Sequence, residues 1–97
     1  MRLDLADLNS VCEFAKNFNE KFEKLDILVN NAGIYLSLKS TTKQNFESNF
    51  GVNYLAPVLL TRLLMNKLKA ANEARIINVS SDSHENVYHK PFNWDDL

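Results

Sequence analysis

The chain has 97 residues, 45% of them hydrophobic, with 11 lysines and arginines against 12 aspartates and glutamates for a net charge of −1. This composition describes one globular unit, excludes a disordered or collagen-like chain, and at this length leaves no room for a large two-domain enzyme. With no basic stripe, neither nucleic acid nor an anionic membrane surface is expected as a partner.

Leu3-Asp4-Leu5 alternates apolar and acidic residues and predicts the closing residues of a strand. Asp7 can cap the helix that follows, in which Val11, Phe14, Ala15, Phe18 and Phe22 recur at three- and four-residue intervals while Glu13, Lys16, Asn17, Glu20 and Lys21 face water. The one cysteine, Cys12, falls inside this helix. It has no partner for an internal disulfide and is expected to be a small buried or half-buried side chain in a reducing compartment. Met1 is followed by Arg2, Asp4 and Asp7 rather than by an apolar stretch, so no signal peptide is expected.

Asp26-Ile27-Leu28-Val29 is short, apolar and rich in branched residues, and it stops at Asn30-Asn31-Ala32-Gly33, where turn formers take over. It reads as a buried parallel strand. After a loop through Tyr35 and Lys39, Thr41-x-x-Gln44 has capping-box spacing and predicts the start of a long helix reaching about Ala71, weakened or bent by Gly51 and Pro57. The apolar run Val52 to Met65 inside it is broken by Asn53, Thr61 and Arg62 and is too short to cross a bilayer. Arg75-Ile76-Ile77-Asn78-Val79 is a second buried-strand candidate, Ser80 to Asn86 is loop, and the stretch to Leu97 carries no strong pattern.

Strand, helix, strand, long helix, strand is the alternation of a parallel sheet with crossover helices, so the fold class is α/β. Ligands of such sheets bind beyond the carboxyl ends of the strands. Asp4, the run Asn30 to Gly33, and Ser80-Ser81 all stand at such ends. They would share one rim.

Four segments together resemble the short-chain dehydrogenases/reductases, and within them the retinol-dehydrogenase-like group: Leu3-Asp4-Leu5, Leu25-Asp26-Ile27-Leu28-Val29-Asn30-Asn31-Ala32-Gly33, Phe50-Gly51-Val52-Asn53, and Arg75-Ile76-Ile77-Asn78-Val79-Ser80-Ser81. The resemblance covers nearly the whole chain. It implies that residues 1–97 are the central part of a single NAD(P)-binding domain built on a partial Rossmann-type doubly wound parallel sheet. It also implies an NAD or NADP cofactor and interconversion of an alcohol and a carbonyl on a lipophilic substrate such as a retinoid or steroid. The location it implies is the cytoplasm or the cytosolic face of an intracellular membrane.

By the same resemblance, Asp4 with the amide of Leu5 receives the adenine, and Asn30, Asn31, Ala32 and Gly33 lie along the adenosine ribose. Ser81 is the active-site serine, whose hydroxyl would hydrogen-bond the substrate oxygen. Asn53 supports a water that relays protons to a catalytic lysine. The residues alone leave plainer alternatives: Asp4 as a helix cap or solvated charge, Asn30 to Gly33 as an ordinary turn tolerating positive φ, Ser80-Ser81 as loop, and Asn53 as a structural hydrogen bonder. Tyr35 and Leu36 are expected to line a substrate or cofactor channel. The long helix would pack against its counterpart in a homodimer, or against other parts of its own chain.

Two parts of the family pattern do not occur in these residues: the glycine-rich phosphate turn, and a Tyr-x-x-x-Lys pair after the serine. Tyr88 is followed four residues on by Phe92, and Lys90 is only two residues away; Tyr35 and Lys39 have the spacing but precede Ser81. The chain therefore reads as the middle of a longer dehydrogenase, inactive alone. A rival reading is a non-catalytic binding or dimerisation module that keeps part of the fold. His84 and His89, five residues apart in a polar loop with no cysteine or helix-borne carboxylate set around them, are not expected to bind metal, and Asp95 and Asp96 read as a solvated cap or loop charge.

Overall fold

The computed structural model describes residues 1–82 and Asp95. His84, Tyr88, His89, Lys90, Phe92 and Asp96 lie outside the described residues. In chain order the elements are α1 (Leu8–Lys21), β1 (Ile27–Asn30), α2 (Ser48–Phe50), a π-helical turn (Gly51–Leu55), α3 (Ala56–Leu63), α4 (Met65–Ala70) and β2 (Arg75–Asn78). No helix among the described residues is long and apolar enough to cross a membrane.

The expected first helix forms. Asp7 caps it in extended conformation and accepts from the Asn9 amide, while Val11 and Ala15 are buried and Phe14 and Phe18 are partly buried against them. Two residues depart from expectation. Phe22 ends the helix and is exposed, touching Phe18 ring to ring, and Cys12 is exposed. Cys12 sits one residue, about 100° of rotation, beyond the buried Val11, which carries it off the core stripe.

Leu3 and Asp4 lie in no strand, and Leu5-Ala6 form a turn that leads into α1. The Asp7 amide donates to the Asp4 carbonyl at 3.1 Å, and the Ala6 amide to the Asp4 carboxylate at 2.9 Å. Those local bonds take the place of ladder bonds.

The capping-box expectation also fails, for an instructive reason. Gln44 does not turn back on a helix of its own. Its Oε1 accepts from the Leu8 amide and its Nε2 donates to Asp7 Oδ1, both at 2.9 Å, so it completes the N-terminus of α1, 36 residues away. The real start of the long helix is Ser48, where the Glu47 carboxylate accepts from the amides of Asn49 (2.9 Å) and Phe50 (3.0 Å).

The expected weakening of the long helix is present as a π turn. The Ala56 amide reaches the Gly51 carbonyl, five residues back, and Pro57 has no N–H for the carbonyl of Asn53. Val52, Ala56, Leu60, Leu64 and Leu68, four apart, are all buried. In a straight α-helix such spacing drifts about 40° per step. The wide π turn and the irregular Leu64 (φ −97°, ψ 1°) between α3 and α4 keep the stripe on the core. Most of the apolar run is thus absorbed by the chain's own packing, with Leu59 and Leu63 flanking it.

β1 and β2 pair in parallel, in the register Ile27↔Arg75, Leu28↔Ile76, Val29↔Ile77, Asn30↔Asn78. The parallel expectation holds; the buried one does not. Leu28 packs on the α1/α3 core, but Val29 is 52% exposed and every residue of β2 is exposed. Both helices that pack here, α1 and α3, reach the Leu28 side, and among the described residues nothing covers the face of Ile27 and Val29.

Candidate active-site rim

Parallel pairing makes β1 and β2 end together, which brings Asn31–Gly33 and Val79–Ser81 to one edge of the sheet. Asn30 ties that edge together. Its Nδ2 lies 2.9 Å from Asn78 Oδ1 across the ladder and 3.2 Å from Thr61 Oγ1 on α3, and its carbonyl accepts from the Val79 amide at 3.1 Å. The side chain of Asn30 is therefore committed to the fold, whereas Asn31, Ala32 and Gly33 beyond it are exposed.

The chain leaves β1 without left-handed backbone and without an assigned turn over residues 31–36. No glycine has positive φ, and among the described residues only Asn45 (φ 67°) does, so the tolerance expected of Asn30, Asn31 and Gly33 is not called upon. A Cβ at Gly33 would meet only Asn53 Oδ1, at an ordinary 3.5 Å.

Asn53 reaches the rim from the π turn. Its Nδ2 donates to the Ile34 carbonyl and its Oδ1 accepts from the Ile34 amide, both at 2.8 Å, which fastens the residue after Gly33 to the helix. The structural alternative for this side chain is thus observed, while its own carbonyl is the one that Pro57 leaves without an i+4 donor. One turn earlier, Asn49 does the same to Leu36, accepting from its amide at 2.9 Å and donating to its carbonyl at 3.0 Å. Sequence reasoning missed Asn49; the signal was two asparagines four residues apart on one helix face.

The path of α1 carries Asp4 toward the same end of the sheet. The helix ends at Phe22, five residues before β1 begins, so it runs back along the strand and its N-terminal end lies where β1 finishes. The Asp4 amide donates to Ser10 Oγ at 2.9 Å, and Leu5 packs into the core. Ser81 stands exposed three residues past β2. Register joins it to the asparagine segment, hydrogen bonds join that segment to Asn53, and topology alone carries Asp4 toward it. Tyr35 and Lys39 are exposed in the loop beyond, Tyr35 at 88%.

Two carboxylates nearby are held below the usual range. For Asp7 the main cause is the Gln44 amide, helped by the Asn9 amide and by Lys43, whose Nζ is 3.6 Å away. For Glu47 it is the Phe50 amide, then that of Asn49.

Comparison with known proteins agrees with this geometry. The family model described as short chain dehydrogenase matches residues 1–91. Retinol dehydrogenase 13 of Mus musculus is 48% identical over 95 residues, which are 96% of this chain and 28% of that protein. The chain thus spans little more than a quarter of that relative. Among solved structures, an uncharacterized protein from Mycobacterium paratuberculosis superposes with a TM-score of 0.73 at 39% identity, covering 87% of this chain and 28% of that one. NADPH-bound carbonyl reductase from chicken fatty liver gives 0.68 at 29% identity, covering 90% and 40%. With a match that runs through both strands, the rim and the helices behind them, this chain belongs to the short-chain dehydrogenase family, is similar to the retinol dehydrogenases within it, and carries part of that family's Rossmann-type α/β fold.

Proposed function

We propose that residues 1–97 are the central part of an NAD(P)-dependent oxidoreductase domain that interconverts an alcohol and a carbonyl on a lipophilic substrate. The observation that supports this reading is the parallel register Asn30↔Asn78, from which we read the segments that follow the two strands, with Asn31 and Ser81, as sharing one rim. The names of the retinol dehydrogenase relatives support a lipophilic alcohol, and the NADPH-bound relative supports a nicotinamide cofactor.

The residues present fit such a cofactor. Among the described residues nothing crowds Gly33, so its outer side, with the small Ala32, is open to a flat ligand such as a ribose. Asp4 would accept from the adenine amino group, with the amide of Leu5 facing the ring. When bound, the nicotinamide supplies the hydride acceptor or donor. Ser81 donates a hydrogen bond to the substrate oxygen and stabilises the negative charge that gathers there. Asn53 holds the asparagine segment against the helix, and its carbonyl, without an i+4 donor, is available to a water. Tyr54 and Val58, the exposed apolar side chains of the long helix, are where a homodimer would pack.

Ser81→Ala in the full-length protein tests this. Turnover of a long-chain or retinoid alcohol should fall by about 10²–10³ while cofactor binding, followed by nucleotide fluorescence, is kept. Unchanged turnover refutes the role of Ser81, and full-length protein that binds partners but never transfers hydride supports the binding-module reading instead. The isolated chain should show no turnover; clear turnover would refute the claim that catalysis needs residues outside it.

A further inference from the structure

Two side chains of one helix hold a piece of loop as though they were an adjoining strand. Asn53 makes a two-point contact with the backbone of Ile34, and Asn49 makes the same contact with Leu36. The match is metric. From Asn49 in α2 to Asn53 in the π turn the helical rise is at most about 6 Å, close to the roughly 6.6 Å that two residues of extended chain span. Asparagines at i and i+4 can therefore engage alternate residues of an extended segment running against the helix. The amides and carbonyls of Ile34 and Leu36 face the helix, which turns the side chain of Tyr35 to the opposite side from theirs. Ile34 is half-buried and Tyr35 is 88% exposed.

The two anchors are not equivalent. Asn53 grips the residue next to Gly33, so it secures the segment assigned to the cofactor. Asn49 grips two residues further on, where the chain has left that segment. We propose that Asn49 is a positioning residue for substrate: by clamping Leu36 it fixes the segment carrying Tyr35 beside the rim, so that Tyr35 presents a constant wall to the substrate. This rests on the oxidoreductase reading for its kinetic consequence but not for its structural one.

The full-length protein carrying Asn49→Ala, Asn49→Asp or Asn53→Ala separates the roles. Exchange of the Leu36 amide, followed by NMR in selectively labelled protein, should quicken about tenfold in N49A, with the Ile34 amide within about threefold of its original rate. N49D keeps the acceptor for the Leu36 amide and should recover most of that protection. In kinetics, N49A should raise KM for the alcohol about five- to tenfold and leave KM for the cofactor within about twofold, while N53A should raise the cofactor KM. Leu36 exchange unchanged in N49A, or Ile34 and Leu36 quickening together, overturns the clamp. Both KM values rising together in N49A overturns its substrate role. Wild-type protein without hydride transfer would refute the oxidoreductase reading and with it the substrate role of Asn49, while the exchange pattern would still decide the clamp.

Discussion

Gly51 is a glycine because of what packs on it. A Cβ there would stand 2.5 Å from Thr42 Cγ2, a contact that real side chains do not make, so something must move in Gly51→Ala. Thr42 is poorly placed to give way. It is 7% exposed, its Oγ1 accepts from the Phe46 amide at 3.2 Å, and its backbone bonds Phe46 at 2.7 Å and Asn45 at 3.0 Å. Rotating its β-branched side chain would break the hydroxyl bond. Overpacking of this kind costs about 1–3 kcal/mol, against about 1 kcal/mol regained because alanine is the better helix former. The net expectation is a loss of about 0–2 kcal/mol.

Thr42→Ser removes the offending methyl and keeps the hydroxyl, at a cost of about 1 kcal/mol for the lost buried group. In the double variant the new Cβ takes the space of the missing methyl. The two losses should therefore not add, with a coupling of about 1–2 kcal/mol in the double-mutant cycle. Urea unfolding followed by circular dichroism measures all four corners. Losses that simply add in the cycle would refute the packing argument.

Leu64, 2% exposed at the junction of α3 and α4, fills the centre of the core, and Leu64→Ala should cost about 2–5 kcal/mol in the same assay. Glu47→Ala removes the cap of the long helix and should cost about 1 kcal/mol at neutral pH. Because the amides of Phe50 and Asn49 hold the Glu47 carboxyl below its ordinary value, its stabilisation is complete above that value, about pH 4, and fades as the pH falls toward the lower folded one. The gap between wild type and variant should therefore narrow on acidification below about pH 4, and a gap that widens there would refute the sign.

Local patterns were read well where local physics rules. The first helix, its Asp7 cap, the two short branched strands and the weakened helix before Pro57 each follow from residues close in sequence. The first strand does stop at Asn-Asn-Ala-Gly as expected, although residues 31–36 form no turn. Gln44 marks the limit of that reading. Its spacing from Thr41 looked like a helix start, yet its amide spends its bonds on α1. The burial of the strands failed for a related reason: a run of branched residues shows that a strand could be covered on both faces, not what covers it.

Alone, the amino-acid order determined the succession of elements and the chemistry carried at their ends, since propensities, caps and turn residues act over a few positions. Tertiary structure decided that the two strands run in one register so that their ends share a rim. It also decided that Asn49 and Asn53 clasp a loop 13 and 19 residues away, and that Gly51 admits Thr42. Each of these depends on distant segments meeting at ångström distances, and no local preference encodes such a meeting.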